Sequence, residues 1–118
     1  MRRNSIVYDK SFKFAIRIVK LYKHLKETKK EYIMSKQLMR CGTSIGANVS
    51  EGIEAQSKKD FISKLSIALK EANESRYWIN LMKATDYLDE KEEKSLIIDL
   101  EEIIKLLVSI IKTSKENS

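Results

Sequence analysis

Apolar residues recur every three to four positions along the whole chain, and no stretch alternates as a half-buried strand would. This period is typical of amphipathic α-helices, and short polar segments interrupt it at three places. Because each connection is short, sequential helices are expected to be antiparallel neighbours. The sequence therefore predicts an all-α fold, an antiparallel up-down-up-down four-helix bundle that forms one domain over residues 1–118.

The first two helices cover the most basic part of the chain. Helix one is predicted over about 10–26 and helix two over about 31–51, with a polar connection at 28–30. Gly52 is predicted to end helix two in the left-handed conformation that glycine adopts without strain. The residues expected to face inward are Ala15, Ile18, Val19, Tyr22 and Leu25 in helix one, and Met34, Leu38, Cys41, Ile45 and Val49 in helix two.

Side chains that cap helix ends mark the last two helices. Ser57 is a good N-cap for helix three, which is predicted to reach about Tyr87. Asp89 is suited to cap helix four, whose first turn holds three glutamates where the helix dipole favours negative charge. The residues expected inside are Phe61, Leu65, Ala68, Leu69, Ala72, Ile79 and Met82 in helix three, and Leu96, Ile97, Leu100, Ile103, Ile104, Leu107, Val108, Ile110 and Ile111 in helix four.

The composition agrees with a helical protein and narrows its setting. The chain has no proline and only three glycines, the two residues that interrupt helices. No apolar run approaches the roughly 18 residues of a membrane span, and the amphipathic start does not resemble a signal peptide. Cys41 is the only cysteine, so no internal disulfide can form and a cytoplasmic location is predicted.

The net charge of +6 is unevenly distributed. Residues 1–50 hold 12 Lys/Arg and 3 Asp/Glu, whereas residues 51–118 hold 11 and 14. On helix one a basic stripe of Lys10, Lys13, Arg17, Lys20 and His24 lies opposite the predicted apolar face, and such a row is suited to a phosphate backbone. A solvated outer face is the alternative interpretation. The candidate nucleic-acid-binding residues are Arg2, Arg3, Lys10, Lys13, Arg17 and Lys20.

Helix two carries polar and small residues beside its apolar stripe. Glycine inside a helix costs about 1 kcal/mol relative to alanine, so Gly42 and Gly46 indicate that another helix approaches closely. Glu71 and Glu74 of helix three are suited to accept hydrogen bonds from Arg40 or Asn48. A structural or assembly role is favoured over an active site for Gln37, Arg40, Gly42, Ser44, Gly46, Asn48, Glu51, Gly52, Glu71, Glu74 and Trp78.

Signals for catalysis are weak in this sequence. Di-iron bundles need Glu-x-x-His motifs from two helices, but the only histidine, His24, lies on the basic stripe. Cys41 lies on the inward stripe without a histidine partner, so it is predicted to be a core residue. No glycine-rich phosphate loop is present. The sequence therefore predicts no enzyme activity, no cofactor and no metal.

Two segments carry distinctive motifs. Residues 35–52 read SKQLMRCGTSIGANVSEG, and residues 59–72 read KDFISKLSIALKEA. They resemble the four-helix-bundle family of 23S rRNA intervening-sequence proteins, whose pattern is Gln-Leu-x-Arg followed by Ser-Ile-x-Ala-Asn-aliphatic-x-Glu-Gly, with a later Phe-x-x-x-Leu-x-Ile-Ala stretch. The resemblance covers nearly the whole chain. It departs from the pattern at Cys41-Gly42, where alanine or serine is common.

This resemblance implies a bacterial protein that assembles as a ring-like homopentamer and has no well-established catalytic activity. A related branch, the accessory proteins of diversity-generating retroelements, consists of basic pentamers that bind nucleic acid alongside a reverse transcriptase. The leading hypothesis is therefore a non-enzymatic RNA- or DNA-binding homo-oligomer that uses the basic face of helix one. The alternative is a protein-interaction or scaffold module without a nucleic-acid ligand.

Overall fold

The structure is a computed structural model that describes the backbone of residues 2–117 and the side chains of residues 4–117. Four α-helices account for nearly all of it: α1 (Arg2–Glu27), α2 (Met34–Ile53), α3 (Lys58–Ala84) and α4 (Glu90–Glu116). Residues 2–117 contain no strand. None of these helices is long and apolar enough to cross a membrane. The predicted all-α, four-helix fold is confirmed.

The helices pack around one core as a bundle, with α1 against α2, α2 against α3, α3 against α4, and α4 back against α1. At every one of these four interfaces, rising residue numbers in one helix meet falling numbers in its neighbour. The contacting pairs are Ser11–Gly46 and Ile18–Gly42 between α1 and α2, and Gly52–Leu65 and Cys41–Ser75 between α2 and α3. Between α3 and α4, including the C-cap residue Asn117, they are Lys58–Asn117 and Arg76–Glu101, and between α1 and α4 they are Lys10–Glu102 and Arg17–Asp99.

The buried face of α1 differs from the predicted one. Val7 and Phe14 are both 1% exposed, whereas the predicted Ala15, Val19 and Tyr22 are only partly buried. The helix begins eight residues earlier than predicted, so it contributes further turns to the bundle. The buried face of α1 is therefore rotated about the helix axis relative to the predicted apolar stripe. On α4 the apolar face is wider than its contact with the bundle, and the predicted inward residue Val108 is 48% exposed.

The prediction that Gly52 ends α2 in a left-handed conformation is wrong. The helix continues to Ile53, and no glycine of the described residues has a positive φ. A Cβ at Gly52 would lie 2.6 Å from Leu65 Cδ1 and 3.3 Å from Lys64 Cβ. Glycine is therefore needed because α3 approaches the backbone of α2 closely at this point.

The other two glycines face α1, but only Gly42 is needed for the close helix approach that was predicted from both. A Cβ at Gly42 would lie 3.0 Å from both Cγ1 and Cγ2 of Ile18, whose side chain is fully buried. A Cβ at Gly46 would lie 3.5 Å from Ser11, which is ordinary van der Waals contact. The approach is therefore tightest at Gly42, where the Ile18 side chain fills the space that a Cβ would need.

The residue Glu31 determines where α2 begins. Its carboxylate accepts hydrogen bonds from the backbone N–H groups of Ile33, Met34 and Ser35 at 3.1, 3.1 and 2.7 Å. These groups have no partner within the helix, so the carboxylate caps the helix from outside. Glu31 was predicted to lie inside helix two; instead it precedes the helix and is 7% exposed.

Caps at the starts of α3 and α4 match the sequence prediction. Ser57 Oγ accepts from the Asp60 N–H at 3.0 Å. Asp89 caps α4 in a full capping box, in which its carboxylate accepts from the Glu92 N–H and Glu92 Oε1 accepts from the Asp89 N–H. The helix α3 ends at Ala84, three residues before the predicted end.

Replacing Gly52 by alanine is expected to destabilise the fold by about 1–3 kcal/mol, since the new methyl group overpacks a buried contact with Leu65. The matched variant Gly46→Ala adds the same group where space exists, and the gain in helix propensity of up to about 1 kcal/mol makes it neutral or stabilising. Urea unfolding of both variants measures the difference. Equal effects would contradict the close approach at Gly52.

The cap at Glu31 predicts a pH dependence of stability. Burial by itself would raise the pKa of this carboxyl, but the backbone N–H donors together outweigh burial and lower the pKa below its ordinary value of 4.5. The ionised carboxylate therefore adds to the free energy of unfolding above the unfolded-state pKa, and this contribution is lost as the pH falls through the folded-state pKa. Glu31→Gln is expected to cost about 1 kcal/mol at pH 7 and progressively less below pH 4.5.

Urea unfolding at pH 7 and about pH 3 tests this effect. Glu27→Gln is the control, because Glu27 is an exposed carboxylate at the end of α1. An equal loss of unfolding free energy for Glu31→Gln at both pH values would show that the carboxylate charge does not contribute.

Candidate nucleic-acid interface

The rotation of α1 divides the predicted basic stripe into a paired group and a free group. Lys10 Nζ lies 2.6 Å from Glu102 Oε2, and Arg17 Nη1 lies 2.6 Å from Asp99 Oδ2. Both acidic partners belong to α4. These two cations therefore lie along the edge between α1 and α4, where carboxylates already neutralise them.

Arg17 is held more firmly than Lys10. Its Nη2 donates to Ser95 Oγ at 2.9 Å, and its Nη1 also donates to the Ser95 carbonyl at 3.3 Å. Among the described residues Lys10 has a single bond, to Glu102, whose hydrogen bond and charge raise the pKa of the ammonium group. All four side chains of the two ion pairs are more than a third exposed, so each pair contributes modestly to stability.

The free group faces solvent on the part of α1 next to the paired cations. Lys13, Lys20 and Lys23 are exposed, and no carboxylate of the described residues lies within salt-bridge distance of any of them. We call these three residues the outer face of α1. Toward its C-terminal end the charge becomes denser, because residues 20–30 contain five lysines and one glutamate.

The positions of Arg2 and Arg3 complete the predicted basic set. The backbone of both residues belongs to α1. Their side chains lie outside the described part of the chain, so the prediction for them stays a prediction. Of the six candidates, the structure thus places Lys13 and Lys20 on the outer face and Lys10 and Arg17 in ion pairs with α4.

Exposed apolar side chains lie next to the outer face, a feature that sequence reasoning missed. Tyr8, Phe12 and Ile16 are 36%, 55% and 42% exposed, and they repeat every four residues along α1. The rings of Tyr8 and Phe12 stack with centroids 6.1 Å apart. Their spacing was visible in the sequence, but the predicted rotation of α1 left their exposure unrecognised. The solvent side of α1 is therefore both cationic and apolar.

The polar residues of α2 form a network that links α2 to α3, as the sequence predicted. Arg40 Nη1 donates to Glu71 Oε2 at 3.1 Å, and Arg40 Nη2 donates to Glu74 Oε2. The Trp78 ring N–H donates to the same Glu74 oxygen at 3.0 Å. The bond from Trp78 and then the bond from Arg40 lower the pKa of Glu74.

Three of the remaining polar residues of this group also bond within the chain. Ser44 Oγ donates to the Arg40 carbonyl at 2.7 Å, and Asn48 Nδ2 donates to the Ser44 carbonyl at 2.8 Å. Glu51 lies 3.2 Å from Lys64 of α3, whereas Gln37 is half-buried. The structure thus assigns Ser44 and Asn48 to α2 itself and Glu51 to its contact with α3. A role in assembly stays a prediction.

Groups with potential chemistry do not come together in the described residues. Cys41 is fully buried, and burial raises the pKa of its thiol. Its sulfur accepts a hydrogen bond from Ser75 Oγ at 3.3 Å, so it packs as a core residue between α2 and α3. His24 is exposed on α1. Residues 4–117 contain no cluster of three or more side chains suited to hold a metal ion.

Comparisons with known proteins match both a family model and solved structures. The family model described as 23S rRNA-intervening sequence protein matches residues 3–109. The chain is also similar to a crystal structure from Bacteroides thetaiotaomicron VPI-5482, described as a protein with unknown function from the S23 ribosomal protein family. The two are 55% identical with a TM-score of 0.92, over 93% of this chain and 98% of that one. A comparison with curated proteins gives no match.

Proposed function

Because this chain belongs to the family of 23S rRNA-intervening sequence proteins, we propose that it binds RNA through the outer face of α1. The observation that carries the proposal is the exposure of Lys13, Lys20 and Lys23 without carboxylate partners among the described residues. Lysines in this state are free to contact phosphate groups. Lys26 in the last turn of α1, and Lys29 and Lys30 just after the helix, add positive charge at this end of α1.

The spacing of these lysines suits a phosphate backbone. Lys13 and Lys20 are seven residues apart, which corresponds to about 10 Å along a helix. Each phosphate that a lysine neutralises releases bound counterions, so affinity falls as salt rises. The proposed binding is therefore electrostatic and governed by charge density, and it requires no recognition of base edges.

The proposal includes self-assembly of antiparallel up-down-up-down bundles into a homo-oligomer, with the ring of five subunits that the family resemblance implies. The opposed residue numbering at all four helix interfaces supports the antiparallel arrangement. The exposed Tyr8, Phe12 and Ile16 favour contact between subunits. Several copies of a weak basic surface on one particle would bind a long RNA far more tightly than one copy does.

In this proposal, the protein acts in the cytoplasm and binds RNA rather than catalysing a reaction. Cys41, the one nucleophile that the sequence singled out, is buried and has a raised pKa, which keeps it in the unreactive thiol form. The Arg40 network connects two helices of the same chain. In this proposal, both groups serve the fold, and the exposed lysines serve the function.

Replacing Lys13, Lys20 and Lys23 together by glutamine is expected to weaken binding to a structured RNA at least tenfold at low salt. The slope of log affinity against log salt is expected to fall by about 2–3, because three phosphate contacts are lost. The matched control replaces Lys91, Lys105 and Lys112 of α4, which are also exposed and lie outside α1. Fluorescence anisotropy with a labelled RNA at several salt concentrations measures both quantities.

The control separates a located site from a general effect of net charge. Equal losses in the two triple variants would contradict a site on α1. If the wild-type protein does not bind RNA at low salt, the RNA-binding proposal fails. Recovery of a protein partner in a nuclease-resistant complex would then favour the scaffold alternative.

A further inference from the structure

Two carboxylates of α4 form ion pairs with cations of α1 that would otherwise extend the proposed RNA-binding surface. Glu102 and Asp99 each lie 2.6 Å from a cation of α1, namely Lys10 and Arg17. Lys13, Lys10, Glu102 and Asp99 also line one shallow notch on the surface between the two helices. Lys10 and the two carboxylates are therefore contiguous with the free lysine Lys13 rather than on a separate surface.

A carboxylate and a phosphate compete for the same cation. Both are anions that accept charge-assisted hydrogen bonds from ammonium and guanidinium groups. RNA that reaches Lys10 or Arg17 must therefore displace a carboxylate of α4. The negative charge of that carboxylate also repels the approaching phosphate. The exposed side chains of both pairs make such an exchange possible without opening the core.

We propose that Glu102 and Asp99 set the affinity and the salt dependence of RNA binding by competing with RNA phosphates for Lys10 and Arg17. This inference rests on the proposed function of α1. In the intact protein, Lys13, Lys20 and Lys23 make the first contacts, and the α4 carboxylates hold affinity below the value that all five cations would give. A polyanion has many phosphates and can displace the carboxylates, whereas a mononucleotide has too few.

The two pairs exchange with different ease. Lys10 has one hydrogen bond to α4, whereas Arg17 has three that involve Asp99 and Ser95. Phosphate therefore displaces Glu102 from Lys10 more readily than it displaces Asp99 from Arg17. Removing the charge of Glu102 frees a flexible lysine, while removing that of Asp99 leaves Arg17 still bonded to Ser95.

The test is a titration of the full chain with a labelled structured RNA, comparing the wild type with Glu102→Gln and with the double variant Asp99→Asn/Glu102→Gln. We expect the single variant to bind about threefold or more tightly at low salt, and the double variant at least as tightly. The slope of log affinity against log salt is expected to become steeper by about 1–2, because one or two further cations contact phosphate.

The control is the double variant Glu90→Gln/Glu116→Gln. It also removes two carboxylates from α4 and frees Lys94, which pairs with Glu90, but it leaves the edge with α1 unchanged. Urea unfolding shows that each variant is folded. The single Glu102→Gln keeps the test valid if the loss of Asp99 disturbs α4, since Lys10 is the one partner of Glu102 in the described part of the chain.

The outcomes separate this inference from the proposed function. If the wild type binds RNA but Glu102→Gln and the double variant bind no more tightly than the control, competition by α4 is excluded and RNA binding by α1 remains. If neither the wild type nor any variant binds RNA, both the inference and the proposed function fail. Tighter binding with a steeper salt slope, absent from the control, supports the inference.

Discussion

The close contact between α1 and α2 at Gly42 fixes how α1 is rotated in the bundle. The buried Ile18 side chain fills the space over this glycine, and Ser11, about two turns before Ile18, lies against Gly46. With these two points fixed, Lys10 and Arg17 turn toward α4, and the residues of the outer face turn toward solvent. A packing contact between two helices thus determines which cations are free to bind an anion.

The sequence was sufficient for the features that depend on local chemistry. The helical period predicted four helices, and Ser57 and Asp89 marked two helix starts because a cap acts on N–H groups three residues away. Gly52 was misinterpreted because glycine serves both turns and close helix contacts, and only the position of Leu65 distinguishes them. The cap formed by Glu31 was missed because glutamate is also common inside helices. Its residue type therefore did not show that it lies before α2 rather than within it.

In the candidate site too, features that depend on neighbouring residues could be predicted from the sequence, whereas contacts between distant residues could not. The lysines of α1 and their spacing were evident in the sequence, as were the glutamates that Arg40 contacts. The pairing of Lys10 and Arg17 was not, because their partners lie 92 and 82 residues away on α4. The charge of a helix face therefore depends on its neighbours in the bundle, and the row of six candidate cations overstated the free positive surface.

Mapping the RNA contact directly on the protein tests whether the rotation of α1 creates the binding surface. Ultraviolet cross-linking of the wild-type protein to RNA, followed by mass spectrometry of the peptides, identifies the residues in contact. We expect cross-links within α1 and the following connection, concentrated between residues 12 and 30. Cross-links confined to the outer faces of α3 and α4 would contradict a binding surface on α1.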